Sequence, residues 1–347
     1  MRTSERNFLL AAAGAAMALL GGFAAVIATL LFAFPPQPFV NYRLFLLETV
    51  PGPRIVFDGG SSALYAINAP IIEKHYGTPT IVIADHAGIP IEAKLTRIRR
   101  YAQPGDTFIL PLEWPHYVRD YTEPVLTRHG YWYFRHYLDA MPVMERLSFA
   151  MTNTRPHDAF IELVMRAHDR HPPLAERIAD FRRRLSENAH GAYFDRPRRD
   201  FAGLQGFTCS QYIFLRRSEI IPGLSRIAAD MASIAREKGI KIMIAWPAVA
   251  GPECYSDRAR VDRMAGTVRA AFEQAGIPVI GTPYRSSFPD DGYRYDTFYH
   301  LTAAGAEIRT RRLIEDIDTT GLLKPNDQPR KTTPEYVAEA LDAARHP

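Results

Sequence analysis

The sequence predicts an α/β protein: a three-layer α/β/α domain on a five-stranded parallel, flavodoxin-like sheet, with one N-terminal transmembrane helix and a helical insertion. Three observations predict it. A long uncharged segment opens the chain, short apolar runs alternate with amphipathic helices from residue 54, and the alternation stops between residues 115 and 216. Short apolar strands separated by helices are typical of parallel sheets covered on both faces.

The first element, residues 8–34, contains no charge and is dominated by apolar side chains. About 20 such residues span a bilayer. A cleaved signal peptide has a shorter apolar region followed by a small-residue site, whereas this run ends at Pro35-Pro36 without one. We therefore predict an uncleaved signal anchor over residues 1–34.

The flanking residues predict the orientation of that anchor. Arg2 and Arg6 precede the apolar segment, and Arg43 is the first cation after it. This bias favours a cytoplasmic N-terminus with the rest of the chain outside the cytoplasm. Residues 35–53 contain five prolines and are predicted to form a stalk.

From residue 54 onwards, strands and helices alternate to about residue 320, where a polar tail (321–347) with one short helix begins. Turn residues and glycine helix ends bound the apolar runs. The predicted strands are 54–58, 80–84, 107–110, 240–245 and 278–280. A helix over 90–102 separates the second strand from the third.

The insertion at 115–216 follows the end of the third strand, so we expect it beside the ligand-binding edge of the sheet, as a cap or substrate wall. Its aromatic side chains could stack on sugars, sit at a membrane interface, or form a small core of their own. They are Tyr117, Tyr121, Tyr131, Trp132, Tyr133, Phe134 and Tyr137.

Composition limits the partners. The net charge of +4 comes from both signs mixed along the chain, so it is weak evidence for a polyanionic partner, and we predict no nucleic acid. His157, His168 and His171 match no strong ligand spacing, so we predict no metal and no cofactor. Cys209 and Cys254 allow one disulfide; an oxidising compartment permits pairing, but buried unpaired cysteines are common, so both states stay open.

Two short motifs contain the candidate chemistry. The first is the turn Gly59-Gly60-Ser61-Ser62 between the first strand and a helix. A serine there is an ordinary helix cap, a phosphate ligand or a nucleophile. Because no P-loop or dinucleotide fingerprint is present, nucleotide binding is not favoured.

The second motif is the late loop with Asp296 and His300, just before the last long helix. An early serine with a late acid and histidine is the set of groups that an acyl-transferring triad uses. In a parallel sheet these residues converge beyond the carboxyl ends of the strands. Ser62 remains a rival for the nucleophile, and Asp290 and Asp291 remain rivals for the acid.

With these motifs the sequence resembles the SGNH (GDSL-like) hydrolase superfamily, in particular its membrane-anchored bacterial branch that handles acyl groups on extracytoplasmic glycans. The resemblance covers residues 54–115 and 240–318. Ser61 stands where the family has its nucleophile. The stretch 84–88 is similar to the second block, in which the Gly88 N–H would complete an oxyanion hole with that of Ser61. Asp296 and His300 are similar to the last block.

The resemblance implies a single-pass protein of a bacterial inner membrane with its catalytic domain in the periplasm. The implied activity is that of a serine esterase or O-acyltransferase. Its implied substrate is either an acyl, chiefly acetyl, ester of a cell-surface or exported polysaccharide, or a small acyl ester. Polysaccharide-biosynthesis membrane proteins are the implied partners. The residues that we expect around the substrate are Gly60, Ser62, His86, Glu113 and Trp114.

Two departures motivate an alternative. Asp296 lies four residues before His300, whereas the family has a D-x-x-H spacing, and Glu113 follows the third strand where the family has asparagine. An ionised glutamate cannot donate a hydrogen bond to an oxyanion. The alternative is a catalytically inactive relative that binds glycan or assembles a polysaccharide export complex.

Overall fold

The computed structural model describes residues 3–34, 38–118, 138–139, 141–168, 174–192, 209, 219–326 and 330–343. Of the predicted insertion aromatics, only Tyr117 falls within these ranges; the other six lie outside the described residues, as does His171.

The described residues form thirteen α-helices and six strands. The helices are α1 (Thr3–Phe32), α2 (Pro38–Thr49), α3 (Ser61–Ala66), α4 (Ala69–Tyr76), α5 (Ile91–Tyr101), α6 (Trp114–Val118), α7 (Val143–Thr152), α8 (Pro156–His168), α9 (Leu174–Glu187), α10 (Leu224–Lys238), α11 (Arg258–Gln274), α12 (Ala303–Asp318) and α13 (Thr333–Ala343). The strands are β1 (Ile55–Phe57), β2 (Thr80–Val82), β3 (Thr107–Pro111), β4 (Lys241–Ala245), β5 (Val249–Ala250) and β6 (Ser287–Phe288).

The chain divides into two compact units, which are residues 1–37 with 121–173 and residues 38–120 with 174–347. In the first unit, Ser4–Phe32 is long and apolar enough to cross a membrane, a property that a signal sequence shares. Helices α7 and α8 pack against α1, and Ile27, Leu30 and Leu31 of α1 are buried.

The second unit is built on a parallel sheet in the order β2-β1-β3-β4. Ile55 of β1 lies opposite Thr80 on one side and Thr107 on the other, and Thr107 lies opposite Lys241. A further pair of parallel strands, β5 and β6, lies outside this sheet. The parallel α/β architecture that the sequence predicted is therefore present.

The predicted fifth strand, residues 278–280, is wrong. Among the described residues the edge of β4 carries only an isolated parallel bridge between Ile244 and Val279. Pro278 has no N–H to donate to a ladder, and Gly281 turns the chain away with φ of +65°. The sheet has four strands instead of five.

Side chains of the sheet alternate between two cores, which makes the unit three-layered. Val56 and Phe108 face one core, to which α2, α5, α10 and α11 contribute. Ile55, Phe57 and Ile109 face the other, beneath α3, α4 and α12. This is the period of two expected of a strand.

The predicted stalk at 35–53 is corrected. Its residues 38–49 form α2, and Leu46 and Leu47 are buried in the core of the second unit. Arg54, also buried, anchors the end of this segment by donating to the Leu47 and Val50 carbonyl oxygens, at 2.6 and 2.5 Å. Proline content misled the prediction because the prolines lie at the ends of the helix and not within it.

The predicted insertion at 115–216 is also not one piece. Residues 121–173 belong to the unit of α1, whereas α9 belongs to the α/β unit and packs on α2 and on α13, the helix of the C-terminal tail. Cys209 and Cys254 are joined by a disulfide across 45 residues, which answers the question that the sequence left open.

Candidate active site

The turn between β1 and α3 approaches the end of β3 so closely that only glycine fits. A Cβ on Gly59 would lie 2.8 Å from the Pro111 carbonyl oxygen, and one on Gly60 would overlap the Glu113 carboxylate. Both glycines have ordinary negative or extended backbone angles, so space, and not a left-handed conformation, excludes larger residues here. The glycines therefore allow Ser61 to begin α3 directly above the end of the sheet.

Four buried charges support this turn from below. Lys94 Nζ lies 2.6 Å from Asp85, and Arg97 lies 2.5 Å from Asp58 and 2.9 Å from Asp85. Lys94 also donates to the Gly59 carbonyl oxygen at 2.8 Å. The two positive and two negative side chains balance, which is what allows charges to remain in a dry interior.

Electrostatics within this cluster follow from burial and pairing. Burial alone would raise the pKa of Asp85, but the ammonium of Lys94 and the guanidinium of Arg97 outweigh it and lower that pKa to about 2. Burial opposes the charge of Arg97 as well, yet Asp58 and Asp85 raise its pKa. Asp58, Lys94 and Arg97 were not predicted as site residues from the sequence. The available indication was a lysine and an arginine three residues apart on the buried side of α5.

The two serines of the turn differ in exposure. Ser62 is buried, and its hydroxyl accepts from the Ala248 N–H at 3.0 Å and donates to the Ala248 carbonyl at 3.3 Å. Ser61 is half-buried, and its Oγ donates only to Glu113, at 3.5 Å. Among the described residues none accepts a hydrogen bond from the Ser61 N–H. The hydroxyl of Ser61 is thus the one of the pair with free capacity.

Glu113 is completely buried beneath these serines. Its Oε1 accepts the Ser62 N–H at 2.5 Å, while no described residue hydrogen-bonds to Oε2. Burial raises the pKa of Glu113 to about 7 and outweighs the opposing effect of the Ser62 N–H and of Lys94. The prediction that Glu113 contacts substrate is corrected: its position makes it a support of the turn.

Asp296 and His300 lie together as the sequence predicted. Nδ1 of His300 is 2.5 Å from Oδ1 of Asp296, which also accepts the Thr297 N–H at 2.7 Å. Burial opposes ionisation of Asp296, but the bond with His300 prevails and its pKa is lowered. The longer spacing is accommodated by a turn in which the His300 N–H donates to the Thr297 carbonyl at 3.1 Å.

The rival acids have other partners. Asp290 accepts the Gly292 N–H at 2.8 Å, and Asp291 pairs with Arg294 at 2.8 Å. Each of these contacts lies within a short local turn. Asp296 is therefore the acid that orients the histidine.

The imidazole of His300 lies on α3. Its ring stacks on the ring of Tyr65 with centroids 4.0 Å apart and an angle of 21°. Tyr65 follows Ser61 by four residues, one helical turn, so the two side chains share a face of α3. The acid–histidine pair therefore lies against Tyr65 on the helix that Ser61 begins. Among the described residues no hydrogen bond joins His300 to Ser61, whose hydroxyl donates to Glu113.

Three other predicted residues have different surroundings. His86 is exposed, and its Nδ1 accepts the Gly88 N–H at 2.9 Å, so that N–H is engaged locally and is not free for an oxyanion. Trp114 is completely buried, donates to the Tyr255 hydroxyl at 3.0 Å and packs on Trp246. The prediction of substrate contact for Trp114 is corrected, because it is a core residue.

A group of possible metal ligands, Cys209, Glu253 and Cys254, occurs in the described part of the chain. The two sulfurs are joined to each other, and a disulfide sulfur is not the thiolate that metals bind. This group is therefore not a metal centre in the oxidised protein.

Comparison with known proteins adds little. No family model matches the chain and no curated protein is similar to it. One solved structure that is similar, protein YxiM from Bacillus subtilis, has 14% sequence identity and a TM-score of 0.35 over 79% of this chain. The match spans 58% of the length of YxiM. At that score no conclusion about this chain follows from it.

The buried carboxyl of Glu113 gives a stability prediction. Because its pKa is raised above the ordinary value of 4.5 to about 7, the neutral form stabilises the fold below about pH 4.5, and this contribution is lost as the pH rises through 7. We expect the free energy of unfolding of Glu113→Gln, relative to that of wild type, to rise by about 3 kcal/mol as the pH is raised from 4.5 to 8. Denaturant unfolding of the detergent-solubilised full chain measures this difference.

The control is Glu237→Gln, an exposed residue of α10, which should change the free energy of unfolding by less than about 0.5 kcal/mol at each pH. A stability difference between Glu113→Gln and wild type that does not vary with pH would show that the carboxyl ionises normally.

Proposed function

We propose that the protein is a membrane-tethered serine esterase or O-acyltransferase that acts through an acyl-enzyme on acyl, chiefly acetyl, esters of a cell-surface or exported polysaccharide. The observation that carries the proposal is the Asp296–His300 pair, bonded at 2.5 Å, lying on the face of α3 that begins with Ser61. The substrate class and the acyl group rest on the resemblance of the sequence motifs.

In the first half of the reaction, Ser61 Oγ attacks the ester carbonyl carbon. Nδ1 of His300 is held by Asp296, so Nε2 is the nitrogen left to take the serine proton. The carbonyl oxygen becomes an oxyanion, and the Ser61 N–H is available to stabilise it. His300 then returns the proton to the departing sugar oxygen, leaving an ester on Ser61.

In the second half, water or a sugar hydroxyl attacks the acyl-enzyme, and His300 removes and returns a proton in the same way. Water gives hydrolysis, and a sugar hydroxyl gives transfer. Glu113 is a positioning residue in this scheme. Its pKa, raised to about 7, leaves about half of the carboxyls neutral at pH 7, which reduces the negative charge close to the forming oxyanion.

The proposed location is a bacterial inner membrane, with α1 as a single span and the α/β unit outside the cytoplasm. The Cys209–Cys254 disulfide supports an oxidising compartment. Polysaccharide-biosynthesis membrane proteins remain the proposed partners, and the chemistry requires no cofactor.

A specific observation favours a second candidate, an inactive glycan-binding or export-assembly protein. The second oxyanion donor is missing, because the Gly88 N–H is bonded to His86 and Glu113 is buried under the turn. Loss of one such donor typically lowers the rate about 10²–10³-fold, so a slow enzyme and an inactive one are the two outcomes to separate.

We expect Ser61→Ala and His300→Ala to lower kcat/KM of the full chain for a small acetyl ester by roughly 10⁴-fold or more, since the nucleophile and its base act as a unit. Asp296→Ala should have a smaller effect in the same direction. The matched control is Asp291→Ala, which removes a half-exposed acid of the same loop paired with Arg294 and should retain activity. Wild-type turnover by Ser61→Ala would refute the mechanism.

A further inference from the structure

A cavity of about 640 Å³ opens beside the β5–β6 pair. Three of its lining side chains are arginines, Arg258, Arg285 and Arg312, and the rings of Tyr255 and Tyr284 also line it, whereas no lining residue is acidic. Its volume is within the range of ordinary small-ligand sites. We refer to this cavity as the arginine cleft.

The three arginines of the arginine cleft differ in their ion pairing, and the nearby Tyr284 hydroxyl donates to Asp262 at 2.8 Å. Arg285 pairs with Glu315 and Asp316, at 2.6 Å each. In the described part of the chain no carboxylate lies within ion-pair distance of Arg258 or Arg312. Their guanidinium groups lie instead over aromatic rings, 5.2 Å from Tyr284 and 5.2 Å from Phe288 respectively.

These ring contacts hold the two guanidinium groups in place while leaving their N–H groups available. One N–H group of Arg312 donates to the Arg285 carbonyl oxygen, at 3.3 Å. A held guanidinium loses less conformational entropy when it binds an anion. It also presents a planar fork that matches a carboxylate or phosphate.

Strand β5 connects the arginine cleft to the candidate active site. Ala248, just before β5, bonds Ser62. The Ala250 N–H donates to the Phe298 carbonyl oxygen at 2.6 Å, two residues before His300, and the next residue, Gly251, lines the cleft. One short segment therefore contacts the serine turn, the acid–histidine loop and the cleft.

We propose that the arginine cleft binds a carboxylate-bearing sugar of the polysaccharide, so that the substrate is an acylated anionic polymer containing uronic acid. Arg258 and Arg312 would hold the carboxylate, and the partly exposed side chain of Tyr284 would lie beside the sugar. This inference rests on the proposed function. A phosphorylated sugar would present similar oxyanion chemistry, so the experiment includes it as a separate arm.

The test is calorimetric titration of the full-length Ser61→Ala protein with three unacylated probes of equal length: an oligouronate, a phosphorylated oligosaccharide and a neutral oligosaccharide. We expect the oligouronate to bind most tightly. Arg258→Ala and Arg312→Ala should each weaken its binding by roughly 10- to 100-fold, as expected for loss of a charge-assisted contact. Arg312→Lys should recover part of the loss.

The matched control is Arg311→Ala, the neighbouring residue of α12, which is exposed and paired with Glu307 at 2.8 Å; it should bind like its parent. Equal affinity for the neutral probe, an equal loss in Arg311→Ala, or preference for the phosphorylated probe would overturn the proposal. Because Ser61 is absent from this protein, the result does not depend on esterase activity. Arginine-dependent binding with no turnover by the wild type would overturn only the proposed enzyme.

A different observation, in the unit of α1, carries a second inference. Helix α8 is apolar on its exposed face and charged on its inner face, which is the opposite of a helix on the surface of a water-soluble protein. Its exposed face carries Phe160, Ile161, Val164 and Met165, with 60, 42, 40 and 40% of their surface accessible. Its inner face buries the ion pair of Glu162 and Arg166, whose atoms lie 2.8 Å apart.

This exposed apolar face continues that of the helix beside it. Residues 8–22 of α1 are exposed and apolar, and α8 and α7 pack against α1. At the start of α7, Val143 and Met144 are also exposed, by 59 and 74%. Charged side chains on the inner face of a helix and apolar side chains on its outer face are typical of a helix surrounded by lipid.

We infer that the exposed apolar face of α8 enters the bilayer beside α1 and that acyl chains of lipids cover Phe160, Ile161, Val164 and Met165. The inference rests on α1 being retained as a membrane span. The packing supports retention, because removal of α1 would uncover the partners of Ile27, Leu30 and Leu31. Buried on α8, the ion pair would then be shielded from lipid by its own helix and its neighbours.

The test uses the full chain in phosphatidylcholine vesicles containing doxyl-labelled lipid, with an environment-sensitive fluorophore on one introduced cysteine; the native cysteines are paired. We expect the label at Val164→Cys to be blue-shifted and quenched by the doxyl groups, as at Leu19→Cys on α1. The control Thr267→Cys, exposed on α11, should report water.

If Val164→Cys reports water while Leu19→Cys is quenched, α1 spans the membrane but the inference about α8 is wrong. Shielding of Val164→Cys from aqueous iodide without doxyl quenching would also overturn it, because a protein partner and not lipid would cover the face. An unquenched Leu19→Cys would overturn the membrane span itself.

Discussion

The candidate site depends on the contact between the Glu113 carboxyl and the backbone of Gly60. The carboxyl lies where any side chain at residue 60 would be, and its Oε1 holds the first turn of α3 through the Ser62 N–H. This close approach of β3 to the β1–α3 turn sets where Ser61 begins its helix. It also explains why a glycine precedes the serine, since a longer residue would require the acid to move away.

Other contacts fix the turn from the remaining directions. From below, Lys94 and Arg97 neutralise Asp58 and Asp85 in a dry cluster, and truncation of one member would leave an uncompensated buried charge, which typically costs about 3–5 kcal/mol. From the side, Ser62 is tied to Ala248. Ser61 is left as the hydroxyl with capacity for chemistry, next to the face on which His300 rests. Such rigid support from surrounding residues is what the proposed nucleophile requires.

Much of this arrangement is predictable from sequence. Alternating runs predict the parallel sheet, and the Ser61 motif follows the end of its first strand. Asp296 and His300 were predicted correctly as a pair, although the strand expected before their loop is absent among the described residues. What depends on contacts between distant residues is not predictable: the charges of α5 are buried only because two aspartates from other strand ends meet them. Likewise, the sequence of α2 resembles a linker because prolines flank it. The predicted strand at 278–280 does not form because Pro278 has no N–H to donate and Gly281 turns the chain, so that only one bridge to β4 remains.

In the proposed mechanism, Ser61 is a nucleophile activated by His300. Mass-spectrometric mapping of the full chain after reaction with a fluorophosphonate tests it most directly. We expect one adduct, on Ser61, which His300→Ala abolishes and Asp291→Ala preserves. An unmodified chain, an adduct on Ser62 or another serine, or labelling of Ser61 that persists without His300 would contradict it.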